Sequence, residues 1–167
     1  MTTQLYYTIF ETRPGWMGIL AGKTGLLSVT VPQPTRQKVV DTWGQLAQGA
    51  LLSPEFFSGL EQQFLNYYSG KKTDFSAELD YSHCTAFQKQ VWEAARTIPY
   101  GETRSYGWIS NRIGKPKAAR AVGQALGKNP FLIIVPCHRV ISGDGALGGF
   151  GGGLDMKKKL LKLEKLG

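Results

Sequence analysis

Cys137 stands in the run Ile134-Val-Pro-Cys-His-Arg-Val140, with an imidazole and a guanidinium on the two residues that follow it. A thiolate is the reactive form of cysteine, and nearby positive charge lowers the pKa of a thiol. Cys137 is therefore a candidate nucleophile. An apolar run from Phe131 to Val135 leads into it and reads as buried backbone. Pro136 fixes its own φ and disfavours helix at Val135, so the chain must turn just before the thiol. The competing reading is a buried cysteine that acts as a small hydrophobe.

The elements that must position this thiol sit in a chain of 167 residues. With 42% hydrophobic and 11% aromatic residues, the composition suits one domain or two small ones rather than a disordered chain. A formal charge of +8 points to a polyanionic partner or to a generally basic surface. The N-terminus lacks a basic region followed by an apolar one, and no apolar stretch nears the roughly 18 residues of a membrane span. The expectation is a soluble protein of the cytoplasm without membrane contact. Two cysteines, Cys84 and Cys137, cannot form a disulfide framework or a four-cysteine zinc site.

Strand signals at Leu5–Phe10, Trp16–Leu20 and Leu26–Val31 are punctuated by Gly15 and Gly22-Lys-Thr-Gly25, which suggests an antiparallel meander. Helical segments follow at about 35–46 and 54–68, the second with Ser53 placed to cap it and Pro54 at its first position. Ala77-Leu79-Tyr81 alternates like a short strand, and the domain boundary is expected near 80–85. In the second half, Thr85-x-x-Gln88 is a capping box that opens a helix to about Thr97. Two short helices, near 105–113 and 117–127, are separated by Gly114-Lys-Pro116 in the layout of a helix-turn-helix. The fold class is α+β.

Between Thr103 and Gly143 there is no Asp or Glu, whereas Arg104, Arg112, Lys115, Lys117, Arg120, Lys128 and Arg139 all fall there. Helical projection gathers Ala118, Val122, Ala125 and Leu126 on one side and turns Lys117, Arg120, Gln124 and Lys128 away. Small residues such as Ala121 and Gly127 leave the exposed backbone open to close approach. Such a face fits a nucleic-acid groove, with lysines on phosphates and Arg120 free to reach inward. Further on, Glu164 projects between Leu160 and Leu161, on the apolar side of a lysine-rich helix, where a lone acid needs a partner. An exposed boundary glutamate paired with lysine is the alternative there.

From Phe87 to Gly167 the chain resembles the O6-alkylguanine-DNA alkyltransferases, also called methylated-DNA–protein-cysteine methyltransferases. The resemblance lies in Pro99-Tyr-Gly-Glu-Thr103, Ser105-Tyr106, Lys117-Ala-Ala-Arg-Ala-Val-Gly123, Asn129-Pro130, Pro136-Cys-His-Arg-Val140 and Gly152-Gly-Leu154. It implies a ribonuclease-H-like α/β domain at 1–80 and a winged-helix or helix-turn-helix-like domain at 81–167 that binds DNA and accepts the alkyl group. It also implies direct reversal of damage. The protein binds duplex DNA containing O6-alkylguanine (O4-alkylthymine being a second candidate), flips the base and transfers its alkyl group to Cys137 in a single turnover. A base buried in a duplex must be extruded before its oxygen can be reached.

By the same resemblance, His138 is the base, Glu164 the acid that orients it, and Tyr106 the hydroxyl that serves the guanine ring and crowds the target phosphate. Arg120 replaces the flipped base in the stack, with Lys117, Ala121, Gln124 and Lys128 beside it on the DNA. Asn129 ties the recognition helix to the turn at Pro136, and the backbone of Val140 and of Phe150, Gly151 and Gly152 frames the base. Phe150 and Gly151 stand where many relatives have Tyr-Ser, so side-chain hydroxyl help is absent there. The zinc ligands of some relatives are missing, since His83 and Cys84 are adjacent; no metal and no cofactor are expected. A Cys-His thiol hydrolase and a non-catalytic lesion-binding module are the competing functions. The second of these has another residue, usually tryptophan, at the cysteine position.

Overall fold

Apolar residues alternating with small and polar ones build three strands, β1 (Tyr6–Thr12), β2 (Gly15–Gly22) and β3 (Gly25–Val29), in a computed structural model that describes residues 3–166. The strands pair antiparallel, Tyr6 opposite Ala21 at one end of β1 and Thr12 opposite Gly15 at the other. The sheet is nevertheless mixed. A two-residue strand, β4 (Leu51–Leu52), lies parallel to β1 and completes the order β3-β2-β1-β4. Two backbone bonds hold it, Leu51 N to Leu5 O (2.9 Å) and Ser53 N to Tyr7 O (2.9 Å). A strand this short has no period to read, so the expected purely antiparallel sheet is corrected here.

Helix α1 (Arg36–Trp43) is capped by Thr35, whose hydroxyl accepts from Lys38 N (3.2 Å). It ends earlier than its pattern suggests, because Gly44 takes a positive φ of 53° and a 3-10 turn follows over Gly44–Ala47. Val39 and Trp43 pack against Ile9, Leu20 and Leu27 in one core cluster, and Trp43 Nε1 donates to Ser28 Oγ (3.0 Å). The next helical segment is also divided, a 3-10 turn over Pro54–Phe57 preceding α2 (Ser58–Tyr68). Ser53 does not cap it; its hydroxyl is hydrogen-bonded to the Glu55 carboxylate (3.0 Å). At 77–81 the expected strand is reduced to one bridge, Leu79 beside Leu26. Residues through Tyr81, joined by Pro130–Leu132, make up one compact unit.

The other unit comprises Ser82–Asn129 and the residues from Ile133 onward. The capping box forms as its spacing demands: Thr85 and Gln88 exchange side-chain-to-backbone bonds, both 3.0 Å, at the start of α3 (Ala86–Arg96). The α3 stripe of Val91, Trp92, Ala94 and Ala95 is buried. Ser105 accepts from Trp108 N (2.9 Å) to open α4 (Tyr106–Arg112), and α5 (Ala119–Gly127) follows after a tight turn. Ser110 fixes that turn, its hydroxyl donating to Lys115 O and accepting from Ala118 N (3.2 Å). Trp92 Nε1 reaches Ala125 O (2.9 Å) and locks α3 to α5. Two short parallel strands, β5 (Arg104–Ser105) and β6 (Val140–Ile141), clamp the start of α4 to the segment after Cys137, and α6 (Leu154–Leu166) closes the unit. Among the described residues no helix is long and apolar enough to cross a membrane.

Gly18 tests the packing of the first core. A Cβ there would meet Val39 Cγ1 at 2.3 Å and the Trp43 ring at 2.6 Å. Gly18→Ala is expected to lower unfolding free energy by about 1–3 kcal/mol, read by urea denaturation; Gly59→Ala, where nothing lies within 4 Å, is expected to show no such loss.

Candidate active site

Pro136 makes the turn that its ring predicts. Its φ of −79° and ψ of 63° place it at the centre of an inverse γ-turn, closed by Cys137 N to Val135 O (2.7 Å). Cys137, His138 and Arg139 then form one 3-10 turn, all three buried. Upstream, Ile133 is buried with φ at 76°, a strained value for a β-branched residue that only surrounding packing can maintain. Asn129 reaches across from the end of α5. Its Nδ2 donates to Val135 O (3.0 Å) and approaches Cys137 Sγ at 3.4 Å, so it is more than the helix end that Asn-Pro suggests.

Glu164 gathers the rest. His138 Nε2 lies 2.7 Å from Glu164 Oε1; Arg139 Nε contacts both carboxylate oxygens (3.1 and 3.0 Å) and Nη2 contacts Oε1 (2.8 Å). Gly101 N donates to Oε2 (3.3 Å), and Arg139 Nη1 donates to Ile98 O (2.8 Å) at the end of the α3 segment. Burial opposes the charge on Glu164, but bonds from His138 and Arg139 outweigh it and bring the pKa down to about 2. An ionised carboxylate only accepts, so His138 Nε2 carries the proton and Nδ1 is the nitrogen that can take another. Burial pushes the His138 pKa below its ordinary value despite Glu164, which keeps the ring neutral at physiological pH.

The thiol is not pre-ionised. Burial raises Cys137 to about 11, against the opposing pull of Asn129, the Lys157 charge and backbone N–H groups. The expectation that the neighbouring guanidinium activates Cys137 is therefore corrected, because Arg139 is committed to Glu164. The cation that does act on the thiol is Lys157 of the lysine-rich helix α6. Lys157 is fully buried, and its Nζ donates to Val140 O (2.7 Å), Gly149 O (3.0 Å) and Leu147 O. It thereby pins the loop between β6 and α6. As the first of three consecutive lysines it carries little signal in sequence; the hint is its position on the face shared by Leu160 and Glu164.

A cavity of about 940 Å³ opens over the thiol, lined by Tyr106, Arg120, Gln124, Cys137, Phe150 and Gly151 among others. Much of its wall is glycine. Gly148, at φ 68°, passes so close to Tyr106 that an added Cβ would lie 2.3 Å from the hydroxyl. The backbone of Gly149 hydrogen-bonds that hydroxyl, and burial raises the Tyr106 pKa. Phe150 stands edge-on to His138, ring centroids 6.4 Å apart. Val140 is buried behind the thiol, its carbonyl held by Lys157, and Pro136 is buried in the turn; Gly152 is half-buried in the loop. Lys117, Ala121 and Lys128 are exposed with Arg120 and Gln124 on or beside α5 but do not line this cavity. Val122, Ala125 and Leu126 form the opposite, buried side of that helix. Among the described residues, no group of three or more His, Cys, Asp or Glu could hold a metal ion.

The unit thus combines a helix pair with a basic outer face and an enclosed thiol beside a buried His–Glu pair. Residues 86–166 match the family description "6-O-methylguanine DNA methyltransferase, DNA binding domain". Over 144 residues the chain is 49% identical to a methylated-DNA–protein-cysteine methyltransferase of Mycolicibacterium paratuberculosis, covering 84% of this chain and 87% of that one. It is 44% identical to the protein of that name from Methanosarcina acetivorans, covering 96% and 98%. A solved structure of Mycobacterium tuberculosis OGT in complex with DNA superposes with a TM-score of 0.79 at 44% identity, covering 96% of this chain and 92% of that one. The chain belongs to the methylated-DNA–protein-cysteine methyltransferase family.

Replacing Glu164 leaves a guanidinium buried without its partner. Glu164→Gln is expected to cost about 3–5 kcal/mol of stability, measured by chemical denaturation at pH 7. Because the folded pKa lies below the ordinary carboxylate value of 4.5, this contribution is present above about pH 4.5 and lost as pH falls towards 2. The wild type is expected to lose stability through that window and the variant to lose less.

Proposed function

We propose that Cys137 accepts the alkyl group of O6-alkylguanine in duplex DNA, once per molecule, after the damaged base has left the stack and entered the cavity above the thiol. The observation that carries this reading is the thiol itself: buried, in the lining of a cavity of about 940 Å³, beside a histidine whose far nitrogen is held by an ionised glutamate. The protein works by direct reversal of DNA damage and needs no cofactor.

The chemistry is a displacement at the alkyl carbon. A bond forms between Cys137 Sγ and that carbon while the bond from carbon to guanine O6 breaks, leaving the electron pair on the purine. The thiol proton goes to His138 Nδ1, directly or through a water, and Glu164 stabilises the imidazolium as it forms. Tyr106, beside the loop at Gly148–Gly149, gives its proton to the departing guanine and regains one from the imidazolium through solvent, so that one proton passes in net from the thiol to guanine. The thioether has no route back to a thiol here. Asn129 holds the Pro136 turn in place, and the backbones of Val140 and of 150–152 frame the base.

Residues 81–167 are the DNA-binding and alkyl-acceptor domain in this reading, and 1–80 a supporting domain. The helix-turn-helix lies on the DNA through α5, with Lys117, Gln124 and Lys128 on the backbone and Ala121 permitting close approach. A base flipped from the minor-groove side suits a sequence-tolerant scanner, and Arg120, on the cavity rim, fills the vacated place. O4-alkylthymine presents the same alkyl–oxygen bond and is the second substrate proposed. The protein acts as a monomer among the cell's DNA.

Intact mass after incubation with excess O6-methylguanine duplex is expected to show one added methylene per protein, mapped to Cys137. Cys137→Ala is expected to show none while still binding DNA. More than one methyl removed per protein would instead indicate a turning-over hydrolase. Arg120→Ala is expected to slow repair of duplex at least about tenfold while reaction with free O6-benzylguanine stays within about twofold; equal losses on both would refute the extrusion role.

A further inference from the structure

Helix α6 has two opposed faces. Lys157, Leu160 and Glu164 are buried towards the site. Lys158, Lys159, Lys162 and Lys165 are exposed. At about 100° per residue, Lys158, Lys162 and Lys165 fall within about 60° of one another and Lys159 lies next to them, opposite the buried trio. Asp155 is the one acid in this stripe, and it occupies the first turn, where the helix dipole favours it. None of the four lysines makes an ion pair among the described residues, whereas Arg96 and Arg104 of the same unit lie beside Glu93 (4.0 Å) and Glu102 (3.4 Å).

We propose that this lysine face is a second DNA-phosphate surface, which holds a neighbouring stretch of duplex while α5 occupies the first. The proposal rests on the reading of α5 as the primary DNA face. Like charges three and four residues apart on a helix repel one another, and a polyanion relieves that repulsion. Lysine is a mobile point charge with three donors, suited to phosphates and indifferent to base sequence. From Lys158 to Lys165 the helix rises about 10 Å, and that length of duplex carries about six phosphate charges. The face points away from the cavity side of α6, so its contact leaves Cys137 and its partners undisturbed. A protein with two such faces can pass from one duplex to the next without first becoming free, which a scanner for rare lesions can use.

The test is direct transfer between duplexes. The protein is bound to a fluorescent undamaged duplex, and release is followed by stopped flow at rising concentrations of unlabelled duplex. For the wild type, the release rate is expected to climb in proportion to competitor. For the variant Lys158→Gln, Lys159→Gln, Lys162→Gln and Lys165→Gln, that dependence is expected to fall at least about fivefold. A control with the same change of charge, at the exposed Lys23, Lys38, Lys71 and Lys72, is expected to keep it. Reaction of both variants with free O6-benzylguanine is expected to match the wild type, showing that the site is folded. A release rate independent of competitor in the wild type overturns the proposal. So does an equal loss in both variants, no loss in the α6 variant, or equal acceleration by polyglutamate. Failure of the wild type to bind the first duplex at all would overturn the α5 reading, and this one with it.

Discussion

One carboxylate organises the second unit. Glu164 is reached by the ring of His138, the fork of Arg139 and the backbone N–H of Gly101. Arg139 also donates from Nη1 to Ile98 O. These bonds join α6, the Cys137 turn and the end of the α3 segment through side chains that are almost wholly out of water. A carboxylate is costly to bury unless it is fully paired. Here the pairing keeps it ionised, and its ionisation in turn fixes the tautomer of His138. Orientation of His138 and stability of the domain therefore share a single group.

The same burial decides how the thiol works. Desolvation takes Cys137 up to about 11, and the nearby positive charge of Lys157 does not reverse it. A resting thiolate poised for any electrophile is thereby avoided. In the proposed mechanism, reactivity depends instead on His138 as base and on a substrate seated in the cavity. Asn129 carries the position of α5 into the Cys137 turn through two contacts, on Val135 O and on Sγ. Helix α5 and the Cys137 sulfur are consequently one residue apart in the network. Tyr106, clamped between β5 and the Gly148–Gly149 backbone, does the same for the other wall.

Much of this was legible in the residues. The capping box at Thr85, the stripe on α3, the inward side of α5 and the turn at Pro136 each follow from local chemistry that tertiary structure has no reason to override. Glu164 was legible too, since an acid on an apolar helix face demands a partner, although which partner was not. Other features lacked any local signal. β4 is two residues long and exists only because β1 offers an edge. Ser53 had the right type and place for a cap but found Glu55 two residues away. Arg139 looked like a neighbour of the thiol because sequence gives adjacency and not direction. Lys157 was hidden among four lysines that face solvent, and only the three carbonyls it meets, fixed by a glycine-rich loop of no regular period, set it apart.

In the proposed mechanism Cys137 is activated by the Glu164–His138 pair and not by a lowered thiol pKa. That activation is tested by the rate of Cys137 alkylation by free O6-benzylguanine as a function of pH, for the wild type and for His138→Gln. The wild type is expected to react readily at neutral pH, with a rate that falls only in acid, below the ordinary histidine range, as His138 takes up a proton. The variant is expected to react slowly at pH 7 and to gain about tenfold per pH unit up to about 11, as the bare thiol ionises. Superimposable profiles for the two proteins would show that His138 does not activate the thiol.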